Sequence, residues 1–160
     1  MASDCLARQR CWSGFLPILK DRAGSTAIEL ALVFPVLITI LFAIVAFGIT
    51  LNNYIELANG VASGARILSI SRSASTPYTS TRNAVTAAAV NLNSATLKAN
   101  LVISINGSAC TSDALCQSAL TTAGAGSPAT VSASYPCTLG ILKLSVTNCQ
   151  LTSQSTEAVE

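Results

Sequence analysis

Residues 30–51 read LALVFPVLITILFAIVAFGITL and hold no charged side chain. A helix rising 1.5 Å per residue needs about 20 apolar residues to cross a bilayer core of roughly 30 Å. This run is long enough. A soluble core helix rarely keeps about 18 residues free of charge. A cleaved secretory signal has an apolar core of roughly 7–15 residues that ends at a small-x-small site. Here the nearest candidate, Ala46-Phe47-Gly48, matches poorly and lies inside the run. The stretch therefore reads as a transmembrane helix.

The flanks orient it. Arg8, Arg10, Lys20 and Arg22 stand before the run, opposed by Asp4 and Asp21. After it come Asn52, Asn53, Tyr54 and Glu56, with no basic residue until Arg66. The Lys/Arg bias predicts a cytoplasmic N-terminus and places the chain beyond about residue 52 in the periplasm or outside the cell.

Composition narrows the function. Charged residues make up 10% of the chain, against roughly 25% in an ordinary soluble domain. Outside the apolar run Ala, Ser, Thr and Asn dominate. A net charge of +2 with no basic stripe argues against a nucleic-acid partner. Histidine is absent, which removes the commonest general base and the commonest metal ligand together. No GxSxG, metal triad or phosphate loop occurs, and Asp113, Glu157 and Glu160 read as scattered in loops or at the end of the chain. Neither an enzyme nor a cofactor nor a metal is expected.

The cysteines follow the orientation. Cys5 and Cys11 fall on the reducing side and are expected as free thiols. Cys110, Cys116, Cys137 and Cys149 fall on the oxidising side, where an even number in a small domain points to disulfides. A zinc site is the rival, but no CxxC pair is present and no His could complete it. Of the three connectivities that four cysteines allow, Cys110–Cys116 and Cys137–Cys149 are favoured, because each closes a local loop between expected strands.

Just before the apolar run stands Arg22-Ala23-Gly24-Ser25-Thr26-Ala27-Ile28-Glu29. Two readings of Glu29 stand side by side. Thr26 and Glu29 fit an S/T-x-x-E capping box at a helix start. Alternatively, Gly24 ends a short basic leader, and a peptidase cutting after it would leave a new α-amino group on Ser25, one turn from Glu29. An acid at the edge of hydrocarbon usually has a partner, and a cation at that spacing would supply one within a helix or between subunits.

The run DRAGSTAIELALVFPVLITILFAIVAFG, with the Asn/Ala/Gly/Arg-rich helix through Ala65-Arg66, resembles the TadE family of pilin-like proteins of the tight-adherence (Flp-type) pilus machinery. The Thr-Val-Ser-Ala-Ser-Tyr-Pro segment at 130–136 and the alternating strand after it resemble the family more loosely. The resemblance implies that a prepilin peptidase removes Met1 to Gly24, that the mature chain begins at Ser25, and that Glu29 is the acid at its fifth position. Two departures bear on this. Major Flp pilins are very short after the helix, whereas residues 52–160 follow it here, which favours a minor component. Family members usually carry a larger aromatic or Tyr after the acid; Leu30 stands there, which fits TadE-like proteins better than the major pilin.

Helical spacing continues past the apolar run through Tyr54, Ile55, Leu57, Val61, Ala62, Ala65, Ile67 and Leu68. One helix is predicted from about Ser25 to Ile70, bent or loosened at Pro35. Gly60 and Gly64 form a GxxxG, which serves either close helix approach in a bilayer or packing of a small-residue face on the protein's own domain. After a linker at 73–77, a second helix is predicted over 81–93. Strands are predicted at 101–105, ended by the Asn106-Gly107 turn, around 131–135, stopped by Pro136, and over 149–159. Residues 139–146 read as strand or short helix.

The expected fold is α+β: a long N-terminal transmembrane helix continuing into a small helix-on-antiparallel-sheet, pilin-like domain, stapled because its core is thin. The expected divisions are a cytoplasmic basic leader at 1–24, the transmembrane and extended amphipathic helix at 25–72, and a periplasmic disulfide-bonded domain at 73–160. The expected role is that of a minor pilin-like component in the bacterial inner membrane, acting in pilus assembly or at the filament. Its expected partners are a prepilin peptidase, other pilin-like subunits, assembly-platform proteins and inner-membrane lipid. The alternative is an uncleaved, signal-anchored periplasmic binding domain.

Overall fold

The computed structural model describes residues 22–137, 140–141, 144–145 and 149–160. Residues 1–21, with Cys5 and Cys11, lie outside the described residues, as do several positions of 139–146. Helix α1 spans Arg22–Ser69 without interruption, with Pro35 inside it. Proline removes one amide donor from a helix, yet α1 stays helical through that position. Two hydroxyls in the apolar stretch turn back onto the helix itself: Thr39 Oγ1 donates to the Val36 carbonyl at 2.8 Å and Thr50 Oγ1 to the Ala46 carbonyl at 2.9 Å. Polar groups that satisfy themselves in this way are compatible with an apolar surround.

The short helices that follow are set by their ends. Helix α2 (Pro77–Ala88) starts on its proline, whose fixed φ suits the first helical position. It begins and ends about four residues before the sequence-based expectation. Asn93 caps α3 (Ser94–Ala99), accepting from the amides of Ala95 and Thr96, both at 3.0 Å. Helix α4 (Asp113–Ala123) is capped by Ser112 and followed by Gly124 at φ 75°. Neither α3 nor α4 is expected from the sequence alone. Asp113 thus stands at the start of a helix rather than in a loop, and Glu157 stands in a strand.

Strand β1 (Leu101–Ile105) turns at Asn106-Gly107 into β2 (Ser108–Cys110), with Ile105 opposite Ser108. Both turn residues have positive φ, 49° and 81°, as a two-residue hairpin with the native strand twist requires. Strands β3 (Pro128–Pro136) and β6 (Gln150–Ala158) complete an antiparallel sheet of order β2-β1-β3-β6. Between them, β4 (Gly140–Ile141) and β5 (Leu144–Ser145) form a separate small hairpin.

Contacts divide the chain within α1, into Met1–Ile44 and Val45–Glu160. In the second unit, Leu57, Val61, Ala65 and Leu68 of α1 join Val85, Ala89 and Leu97, then Ile103, Ile105, Val131, Ala133, Leu120 and Val159, in one buried cluster. The spacing of the α1 members is that of a single helix stripe. Strand alternation supplies the sheet members from one face. The architecture is α+β, as expected.

Gly60 and Gly64 pack on α2. A Cβ on Gly64 would lie 2.4 Å from Val85 Cγ2, and one on Gly60 would lie 2.9 Å from the Val85 carbonyl oxygen. Of the two readings of the GxxxG, the one that packs a small-residue face on the protein's own domain is the one realised. The end of α1 is closed on all sides. The carbonyl of Arg66 accepts from Ser69 Oγ at 2.9 Å, that of Ile67 from Ser71 Oγ, that of Leu68 from the Ser71 amide at 3.1 Å, and that of Ser69 from the Glu160 amide at 3.0 Å. The four carbonyls that a helix end leaves without helical donors therefore all have partners.

Both favoured cysteine pairs are bonded. Cys110–Cys116 ties β2 to α4, and Cys137–Cys149 ties the chain after β3 to the chain before β6. The first joins a strand to a helix, not two strands, because residues 113–123 wind into α4. The Cys137 amide also donates to the Cys149 carbonyl at 3.1 Å.

Candidate functional site

The features singled out at the N-terminal junction lie on α1. The helix starts at Arg22, four residues before Thr26, so Thr26 is inside the helix and does not serve as the N-cap of a capping box in the intact chain. Gly24 and Ser25 occupy the first turn. With 3.6 residues per turn, Ser25 and Glu29 fall on one face, about 6 Å apart along the axis. Glu29 is exposed.

Beyond Glu29 the surface becomes apolar on every side. Leu30, Leu32, Phe34, Leu37, Leu41, Ile44, Phe47 and Ile49 are all more than half exposed. None of the most apolar window of the helix is buried by the described residues. Full burial of one such side chain stabilises by about 1.5–3 kcal/mol, so this surface demands an apolar surround that the described residues do not supply. The helix is long and apolar enough to cross a membrane. It fits a single-pass anchor.

The second unit holds two acidic groups whose roles the sequence did not disclose. Asp113, at the start of α4, accepts from the Thr79 amide at 2.8 Å and from the Thr79 hydroxyl at 2.6 Å. Thr76, the N-cap of α2, makes no side-chain cap of its own, so Asp113 supplies from another helix the acceptor that α2 lacks. The Thr79 hydroxyl, then its amide, hold the Asp113 carboxyl below the ordinary carboxylate range. Glu56, on α1 past the apolar run, accepts from the Asn91 amide at 3.0 Å, from Asn91 Nδ2, and from Asn52 Nδ2 at 3.3 Å. The two carboxylates pin the α2 segment at its start and beyond its end. They are structural acceptors far from each other in sequence, not a paired acid and base.

Thr79, Arg82, Asn83 and Lys98 line a shallow recess of about 230 Å³, with the Arg82 guanidinium 5.3 Å from the centre of the Tyr78 ring. Among the described residues, no group of three or more His, Cys, Asp or Glu is placed to hold a metal ion. Tyr135 has a positioning role that spacing alone does not reveal: its hydroxyl accepts from the Asn93 amide at 3.1 Å, holding the residue that caps α3.

The comparisons with known proteins bear on the helix and not on the domain. No curated protein and no solved structure matches the chain. The family match ends at the fourth last residue of α1, so the sheet and the short helices stand outside it. Residues 24–66, from the junction glycine to Arg66 near the end of α1, match the family model described as TadE-like protein.

Proposed function

We propose that this chain is a minor pilin-like component of a tight-adherence pilus. It is held in the inner membrane by α1 with its N-terminus in the cytoplasm, cut after Gly24 by a prepilin peptidase, and used in pilus assembly or in the filament. The observation that carries this reading is the exposure of α1 between Glu29 and Leu51, a surface with little cover from the described residues. Lipid covers such a surface before assembly; neighbouring apolar helices of other pilin-like subunits cover it afterwards. Assembly-platform proteins would mediate the transfer.

Cleavage gives Glu29 its partner. In the intact chain Ser25 carries a neutral peptide nitrogen. After the cut it carries an α-ammonium one turn from the Glu29 carboxylate, on the same helix or on a neighbour. The two charges attract more strongly at the edge of hydrocarbon than in water, because the effective dielectric constant is lower there. A carboxylate at a membrane boundary is costly without such a partner. Glu29 thereby registers each helix against the next.

The test is mass spectrometry of the N-terminus from membranes with and without the peptidase, together with the Gly24→Asp variant. A Ser25 start that disappears in both cases supports the proposal. A chain that keeps residues 1–24 in its wild-type host overturns it and leaves an uncleaved anchored binding domain. Glu29→Ala should still be processed but fail to assemble. Normal filaments from that strain would remove the pairing role.

A further inference from the structure

The four-stranded sheet is finished unevenly. At one side lies β2, three residues long; at the other lies β6, nine residues long and paired to β3 along its whole length, from Pro128 opposite Ala158 to Pro136 opposite Gln150. Among the described residues no strand pairs with the other side of β6. A strand in that position presents unpaired amides and carbonyls along its length, and proteins usually blunt it with lysine, proline, a bulge or brevity. Residues 150–158, QLTSQSTEA, contain no Lys, Arg or Pro, and the register with β3 has no bulge. The only charge in the strand is Glu157, near one end.

The sequence of this edge has a second property. Thr152-Ser153-Gln154-Ser155-Thr156 reads the same in both directions. Two antiparallel copies of β6 related by a twofold axis at Gln154 bring all nine residues into register. Gln154 faces its own copy, Ser153 faces Ser155, and Thr152 faces Thr156. Glu157 faces Leu151, so no acid opposes an acid. Cross-strand hydroxyl pairs help antiparallel pairing, and like charges directly opposite oppose it. The same kind of pair already exists inside the sheet, where Thr130 Oγ1 and Thr156 Oγ1 are 2.9 Å apart. Moving the axis along the strand shortens the pairing, and placing it at Glu157 would set two carboxylates face to face.

We propose that β6 is a self-association edge: two copies of this chain join β6 to β6 in antiparallel register about Gln154, making one continuous sheet. A palindromic strand matches its own copy residue for residue, which is what a closed twofold contact requires; a different partner strand would gain nothing from the palindrome. Thr152, Gln154 and Thr156 are exposed, and the Thr156 hydroxyl, already bonded to Thr130, can both donate and accept, so a second copy can reach all three. The inference depends neither on cleavage after Gly24 nor on entry into a filament.

The test uses the full chain in its native membranes. In a background of Cys5→Ser and Cys11→Ser, the Gln154→Cys variant is oxidised mildly and run without reductant. Opposite residues of antiparallel strands have Cα atoms about 4.5–5.5 Å apart, within the span of a disulfide. The expected result is a band at twice the monomer mass that collapses on reduction, with none from Thr121→Cys on the exposed side of α4. A second measurement uses differently tagged copies. Gln154→Lys should lose co-purification with itself, as should Gln154→Glu, while the Lys copy with the Glu copy should regain it. Four results would overturn the proposal: no dimer from Gln154→Cys although peptide mapping finds both native disulfides intact; equal cross-linking from Thr121→Cys; capture of a different protein by the thiol of Gln154→Cys; or mixed charges pairing no better than like ones.

Discussion

The two parts of α1 share one backbone conformation and differ in what covers them. From Leu30 to Leu51 the large side chains other than Ile38 are exposed; from Leu57 to Leu68 one stripe is completely buried. The difference is not one of residue type, since leucine serves both parts. It lies in the faces. The first part is apolar all round and can be covered only by a surrounding apolar medium. The second alternates a buried stripe with Asn53, Glu56 and Arg66, so one domain can cover it and water can take the rest. A single helix thus carries two different solvation demands, and among the described residues only one of them is met.

The largest test of this contrast is truncation of a leucine in each part. Leu68 is 0% exposed and Leu37 is 53% exposed. Leu68→Ala should cost about 2–5 kcal/mol of fold stability, the usual range for a buried leucine, read by denaturant unfolding in detergent micelles. Leu37→Ala should leave that transition in place. A comparable loss from both would break the contrast.

Glycines sharpen it at a smaller scale. Gly64→Ala would drive a methyl group into Val85 and should destabilise by about 1–3 kcal/mol, as overpacked cores do. At Gly48 an added methyl group would meet nothing within 4 Å, so Gly48→Ala should be neutral or gain up to about 1 kcal/mol of helix propensity. Thermal unfolding of the two variants, measured side by side, decides it.

The smallest effect is a pH dependence confined to the domain side. Because the folded carboxyl of Asp113 is held below its ordinary range, its contribution to stability is present above the unfolded value, near about pH 4. It is lost as the pH falls through the lower folded value. Asp113→Asn should therefore lower Tm slightly near neutral pH and converge with the wild type in acid, flattening the decline of Tm on acidification. An unchanged acid limb would show that the contact with Thr79 contributes nothing.

Long elements were legible in the sequence because their periods repeat. The apolar run and the stripe from Leu57 to Leu68 announce α1, and alternation announces β1, β3 and β6. The Asn106-Gly107 turn was legible from two residues, since few others take positive φ without strain. Helix α3 was not, because six residues hold less than two turns of pattern. Helix α4 carried readable signals in the Ser112 cap and Gly124, but its small residues give a weak apolar stripe and the cysteines at 110 and 116 drew the reading toward a loop. Pro77 looked like a linker residue and is the first residue of α2. At the junction, the spacing of Gly24, Ser25 and Glu29 was visible at once. The acceptor roles of Glu56 and Asp113 were not, because their partners lie 35 and 34 residues away and only the folded chain brings them together.

The bond from the Glu160 amide to the Ser69 carbonyl sets an order in time. A ribosome makes Ser69 long before it makes Glu160, and at roughly 5–20 residues per second the interval is on the order of ten seconds. Throughout that interval β3 lacks its β6 neighbour, and Leu57, Val61, Ala65 and Leu68 lack the cover that Val159 helps to complete. A stall in translation after residue 136 would therefore leave β3 without its β6 neighbour beside an incompletely covered stripe of α1.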